Sequence, residues 1–538
     1  MTDVTDLSGH EADARAAKPQ KELHLGWALV LISMAQLMVV LDASIANIAL
    51  PFIGADLNIN DANLTWIVTG YALAFGGLLL LGGRLGDLYG RRRVFMIGLT
   101  VFAVASLLGG IASNEGLLLA SRGLQGLGAA LASPAALALI TTTFPAGPAR
   151  NRAFAVYAAM SGAGAAVGLI LGGWLTGLDP ILGLEGWRYT FLINVPIGLV
   201  AAFLAPRFLN ESESHPGELD VPGAITGTLG LLGLVYGFSR AGEAAHGWGD
   251  PWTIASLLAG VALLAGFALI ESRVKHPLLP VRVFANRTRA TSFGVMMLVP
   301  AAMFAMFYFL SLFIQLVVGY SPLHTGFAFL PFSVGIVIGA GVSSNLVNRI
   351  DARFIAGVGT LMAAVALFGF SRLSVPTGTA DLLAVGPGSF LGADVNYWTS
   401  IFPFILLMSV GMGLTFVPLT LTAVHHLRSE DSGIGSGVLN TMQQVGGALG
   451  LAILGTVSVH FASGTKSDLF QELVSKGKSP AEAGQLAYIG SFTEGATAAF
   501  LVGAALILVG SVAIWSFLNV KHAELATDGP EGAPVHVG

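Results

Sequence analysis

The sequence predicts an all-α integral membrane protein with fourteen transmembrane helices. Three observations carry that expectation. Charged residues make up only 11% of the 538 residues, against about 25% in an average soluble domain, so a water-facing surface of this size would go uncovered. Fourteen runs of about 20 mostly apolar residues, the length of a bilayer crossing, recur along the chain. Lys and Arg are shared unevenly between the two alternating sets of connections. The same composition excludes disorder and a large soluble globule. A net charge of -5 speaks against nucleic acid as a partner, and the absence of Cys removes disulfides, thiolate metal sites and thiol nucleophiles.

The first run, 25–50, follows a polar segment without a cleavage-type site and is too long for a signal-peptide core, so it is expected to remain as a helix. The runs 62–83 and 94–112 flank a short basic connection, and 116–142, 153–177 and 189–206 complete a first set of six. Two further runs, 221–239 and 252–271, stand between polar stretches. A last set comprises 291–318, 325–346, 354–371, 400–424, 434–461 and 495–519, with long polar loops expected at 372–399 and 462–494. An even number of crossings puts both chain ends on one side. Arg84, Arg91 to Arg93, Arg150, Arg152, the stretch from Arg273 to Arg289, Arg349 and Arg353 all fall on that side, which the positive-inside rule makes cytoplasmic.

Two segments resemble each other. Gly164–Gly173 aligns with Gly446–Gly455, and the connection Gly83–Arg92 has a faint partner at Ser344–Arg353; both pairs lie eight runs apart. A six-helix unit repeated after two inserted helices produces that spacing, and parallel six-helix halves around a central path are a transporter architecture. The expected division is a cytoplasmic tail at 1–24, a first half at 25–208, two inserted helices at 209–275, a second half at 276–520 and a cytoplasmic tail at 521–538.

Ionisable residues are nearly absent from the runs, and Asp42 and Arg122 are the clear exceptions. A charge at mid-membrane costs about 2.5–3.5 kcal/mol on insertion scales, so it normally faces a cavity or a partner. Counted from the run ends, both residues sit roughly 9–13 Å below the same surface, within reach of each other. One reading is a static pair that locks two helices. The other is a protonatable Asp42, pushed up by desolvation and down by Arg122, and hence able to switch.

The connection Gly83–Arg93 is short enough to require a tight turn, which its glycines permit. Arg91 and Arg92 can serve as orientation anchors, but Asp87 in a basic loop suggests a specific ion pair that latches one conformation. Gly164, Gly168, Gly172 and Gly173, with Gly446 and Gly450 in the second copy, have the small-residue spacing of close helix contacts. Asn47, Gln125, Tyr308, Gln315, Asn440, Gln443 and Gln444 are the candidates for lining a substrate cavity. The amides could instead only bond a neighbouring helix, and Tyr308 could only pack. Enzyme signals fail: Gly477-Lys478-Ser479 lacks the earlier glycine of a phosphate loop, Glu472 standing there, and His425-His426 lacks zinc-site spacing. No catalytic set, cofactor or metal is expected.

These residues resemble a known family. Gly83–Arg92 looks like the signature loop of the major facilitator superfamily. Leu41–Pro51, Arg122–Gly126, Gly186–Gly198 and Asn440–Gly450 resemble motifs of its fourteen-span drug/proton antiporters, the EmrB/QacA type. The family usually has Thr at Ser44 and Val at Ala46, and its fifth-span antiporter motif has Pro at the position of Leu169. The resemblance implies the major facilitator fold in an inner-membrane exporter that exchanges protons for small, often lipophilic compounds. It implies substrate and proton binding at Asp42, coupling through Arg122, and gating by Gly83, Asp87, Gly90, Arg91 and Arg92. Expected partners are a small-molecule substrate, protons and membrane lipid; a periplasmic adaptor is left open, and the chain is otherwise expected to act as a monomer. The alternatives are a proton-coupled uptake symporter on the same fold and a transport-inactive membrane sensor.

Overall fold

The computed structural model describes residues 25–145, 148–181, 183–211, 219–243, 246–375, 382–383, 390–425, 432–522 and 524. The expected tail 1–24 and most of the tail 521–538 lie outside them. Fourteen long helical elements follow in order: α1 Leu25–Leu57, α2 Trp66–Tyr89, α3 Arg91–Gly110, α4 Glu115–Thr143, α5 Pro148–Thr176, α6 Gly186–Phe208, α7 Val221–Ala241, α8 Pro251–Glu271, α9 Arg287–Leu312, α10 Pro322–Leu346, α11 Ala352–Phe370, α12 Phe402–Val424, α13 Ser432–Ser475 and α14 Pro480–Phe517. Among the described residues, thirteen contain a stretch long and apolar enough to cross a membrane, and α5 has an apolar half, Gly164–Thr176. Helices are the expected answer, because lipid cannot satisfy a backbone amide or carbonyl.

The helices form two bundles, α1–α6 and α9–α14, with the same internal pairing. In the first, α1 packs on α5, α2 on α4, and α3 on α4 and α6; in the second, α9 packs on α13, α10 on α12, and α11 on α12 and α14. The aligned glycines explain one of these pairs. A Cβ at Gly168 would lie 2.9 Å from the Ser44 side chain, so the α5 backbone rides directly on α1. Gly446 and Gly450 allow the same approach of α13 to Met297 and Ala301 on α9.

The bundles meet where α2 crosses α13 and where α5 crosses α10. At the end away from the chain termini, Gly173 abuts Pro322 and Leu323 while Gly326 abuts Leu169 and Ile170, which closes that side of the seam. The inserted hairpin covers the other crossing. Its first helix, α7, touches both bundles: Thr228 bonds the Gly77 carbonyl of α2 at 3.2 Å, and Thr456 of α13 bonds the Phe238 carbonyl at 2.6 Å. Helix α8 packs mainly on α7 and presents Trp252, Leu258 and Val261 outward. At the hairpin tip, Asp250 caps α8 and pairs with Arg240 at 2.7 Å.

Two sequence expectations need correction. Residues 83–89 are not a loop but the last turns of α2; the whole reversal falls on Gly90, at φ 99°. Likewise 462–494 is not a polar loop. Helices α13 and α14 continue through it and reverse only around Gly477, because Leu469, Leu473, Leu486 and Ala487 bury themselves against one another and against Leu382. Hydropathy ends a membrane span where polar residues begin, but a helix ends only where its backbone bonding does.

Candidate functional site

Asp42 and Arg122 meet at the centre of the first bundle, 3% and 1% exposed, with Arg122 Nη1 donating to Asp42 Oδ2 at 2.6 Å. Their neighbours complete a network drawn from five helices. Gln125, one turn beyond Arg122 on α4, donates from Nε2 to Asp42 Oδ1 at 2.8 Å and to Ser106 Oγ of α3 at 2.8 Å. Its Oε1 accepts from Arg122 at 2.8 Å. Asn194 of α6 donates to Asp42 Oδ1 at 3.0 Å. From α2, the Ile67 carbonyl accepts from Arg122 Nε at 2.7 Å, and the Tyr71 ring lies 4.5 Å under the guanidinium.

Local chain features position these groups. Helix α6 is built of two pieces, Gly186–Leu192 and Asn194–Phe208, and Asn194 opens the second. Pro196 can sit in that first turn because no intrahelical amide is needed there. At the start of the same helix, Trp187 and Arg188 both donate to Asp56, at 3.0 and 2.9 Å, which fixes α6 against the extended end of α1. In this arrangement the Asp42 carboxyl accepts from three donors, Arg122, Gln125 and Asn194. It is sealed inside one bundle and does not line the seam. A buried pair of this kind contributes little to stability against an apolar alternative, yet removing one partner leaves a charge stranded.

A second polar group lies at the seam. Ser311 of α9 donates to the Asn47 carbonyl of α1 at 3.2 Å and accepts from Gln315 Nε2 at 3.1 Å. Gln315 sits in a π-helical segment, Phe313–Val318, that continues α9, and such widened turns often mark functional positions. The side-chain oxygens of Asn47 and Gln315 are both buried without a partner.

The other predicted residues separate. Gln125 belongs to the Asp42 network. Tyr308 is buried and borders a cavity of about 400 Å³ between α2, α7, α9, α13 and α14, with Thr65, Ser239, Thr456, Lys466 and Tyr488. Gln444 packs against Gly76 at the α2–α13 crossing, Gln443 faces Met296 at 3.8 Å, and exposed Asn440 bonds its own helix at Ser436. In the signature segment, Gly83 lies near Pro134 of α4, and Asp87 and Arg91 pair at 3.2 Å across the Gly90 turn. Arg92 donates its backbone amide to Glu211 at 3.0 Å. Glu211 also fills the space where a side chain at Gly90 would stand.

Sequence reasoning missed Ser106, Tyr71, the Ile67 carbonyl and Glu211 as site members, and named Asn194 only inside a motif. Neutral polar residues are too common in the helices to stand out, and a carbonyl has no sequence signal.

Comparison with known proteins places this geometry. The sequence profile of the Major Facilitator Superfamily matches residues 32–451. The Puromycin resistance protein pur8 of Streptomyces alboniger is 40% identical over 500 residues, covering 92% of each chain. The Cephamycin export protein CmcT of Amycolatopsis lactamdurans is 39% identical over 471 residues, 87% of this chain and 91% of that one. The Tetracenomycin C resistance and export protein of Streptomyces glaucescens is 33% identical over 431 residues, 80% of this chain and 75% of its own. Among solved structures, a bacterial homolog of the human lysosomal transporter Spinster, inward-facing and unoccupied, superposes with a TM-score of 0.63 at 16% identity, covering 92% of this chain and 98% of that one. An auto-inhibited POT family peptide transporter superposes with a TM-score of 0.61 at 15% identity, covering 92% and 98%. With its two paired six-helix bundles and these relatives, the chain belongs to the Major Facilitator Superfamily.

Proposed function

We propose that this chain exports small lipophilic compounds in exchange for protons, by alternating access, from a cytoplasmic membrane in which both termini face the cytoplasm. The observation that carries the reading is the Asp42–Arg122 network, a carboxylate with three donors buried in an otherwise apolar membrane bundle. The relatives' names, which speak of resistance and export, supply the direction.

On this reading Asp42 rests as a carboxylate accepting from Arg122, Gln125 and Asn194. A proton arriving there cancels its charge and weakens the bond from Arg122 Nη1, which still donates to Gln125 Oε1, while the Ile67 carbonyl and the Tyr71 ring also hold the guanidinium. Because the network joins α1, α2, α3, α4 and α6, that exchange changes how five helices are tied together. The substrate is not expected to touch Asp42 in this state. Its contacts are assigned to the seam, where the free oxygens of Asn47 and Gln315 would accept from a donor group. One proton moved across 100 mV is worth about 2.3 kcal/mol, roughly a fiftyfold gradient of a neutral compound. A single deep acid disfavours dications. The partners of this cycle are the substrate, protons and lipid, and no step requires an adaptor.

The test uses everted vesicles with puromycin as the first probe, chosen after a susceptibility screen in a pump-deficient strain. Wild-type protein should drive pH-gradient-dependent uptake, whereas Asp42→Asn should reach the membrane and give none. Normal rate and normal pH dependence in that variant would sink the mechanism, and uptake in the opposite vesicle orientation would make the chain an importer.

A further inference from the structure

At the face carrying the termini, the ends of α9, α11 and α14 enclose a cavity of about 450 Å³ that the transport reading does not use. Asn286 and Arg287 border it from α9, Arg353 from α11, and Trp515, Phe517 and Asn519 from the end of α14. The Arg287 guanidinium stands 4.3 Å from the Phe517 ring centroid, and the Arg353 guanidinium 4.7 Å from that of Phe354. Among the described residues neither arginine has a carboxylate within ion-pair distance. The nearby acid, Asp351, is engaged elsewhere: it accepts the His522 backbone amide at 2.9 Å and faces His522 Nδ1 at 3.0 Å. These contacts, and then the charge of Arg353, hold its carboxyl below the ordinary range.

The cavity also lies at a defined depth. Three helix ends and the aromatic pair Trp515 and Phe517, 40% and 45% exposed, mark the boundary where headgroups begin. Below Arg353, Phe354, Val358, Leu361 and Val365 form one exposed apolar stripe down α11, with the spacing of a single helix face. Two guanidiniums over an apolar stripe match an acidic headgroup with acyl chains beneath it, and the positive end of α9 adds to the attraction. We propose that this cavity binds the phosphate of an anionic phospholipid, which ties the start of α9 to α11 and α14.

Native mass spectrometry of the purified full chain tests this. Phosphatidylglycerol should be retained and phosphatidylcholine should not. Arg287→Gln and Arg353→Gln should each lower phosphatidylglycerol occupancy about fivefold, and the double variant about 25-fold. Arg349→Gln, an exposed arginine on the same face but outside the cavity, should change nothing. Excess inorganic phosphate should not displace the lipid. Equal retention of both lipids, an unaffected double variant, or an equal loss in Arg349→Gln would overturn the site. Displacement by inorganic phosphate would overturn the lipid as its occupant. Should the double variant fail to elute as folded protein, the two single variants carry the same test.

Discussion

The two six-helix bundles share a pairing scheme and differ in what fills it. The first holds Asp42, Arg122, Gln125, Asn194 and Ser106 at its centre, all essentially inaccessible. The second holds Phe309, Phe313, Phe329, Phe370 and Phe500; among the described residues its buried ionisable side chains, Arg289 and His425, lie at the start of α9 and the end of α12, alongside neutral contacts such as Ser292 with Thr422 at 2.7 Å. Both solutions pack the same helix crossings, so packing alone does not call for charge. Aromatic rings bury large areas in fixed geometry and resist change. An ion pair in the same place adds little stability and is sensitive to a single proton. On the proposed function the pair is the switch, and the aromatic packing of the other half is its scaffold.

The largest expected effect separates the halves directly. Asp42→Asn should reduce coupled transport to background, as described above, while no single phenylalanine substitution should do so. Next, Arg122→Ala and Phe500→Ala should each destabilise the protein by about 3–5 kcal/mol in detergent unfolding, one by stranding a charge and the other by opening a cavity. Only Arg122→Ala should also move the pH optimum of transport. A matching shift in Phe500→Ala would break the distinction between switch and scaffold.

A smaller effect probes what the halves have in common. Gly168→Val and Gly450→Val should each cost about 1–3 kcal/mol, because both push a side chain into the first helix of their own bundle. Unequal losses would show that the repeated glycines are not equivalent. The smallest effect concerns the inserted hairpin, which belongs to neither half. Hydrogen bonding from Arg240 holds the Asp250 carboxyl at about 2, below its ordinary 3.8. A depressed value means that the contribution is complete above about 3.8 and is lost as pH falls towards 2. Arg240→Ala should thus lower the unfolding temperature slightly and evenly across neutral pH, less so in high salt. A difference that changed between pH 6 and 8 would assign the effect to another group.

Much of this was legible without coordinates. Asp42 and Arg122 stood out because charge is rare inside apolar runs, and the glycine repeat stood out because the same spacing recurs eight helices later. The signature segment pointed to an Asp87 contact, and the ion pair with Arg91 is there. The polar extension of α13 and α14 was misread because hydropathy tracks solvent, whereas the helix persists by burying Leu469 and Leu473 in a small cluster outside the apolar zone.

By itself the sequence determined the number of crossings, the repeated halves and the two charges, since each follows from composition and spacing along one chain. Only the tertiary structure decided that Asp42 faces into its own bundle, that Gln125 and Asn194 bond to it, and that Glu211 stands over Gly90. Those outcomes depend on which faces of distant helices meet. No local pattern encodes that choice; it is made when buried polar atoms in a lipid-bound bundle must find partners on other helices or go without.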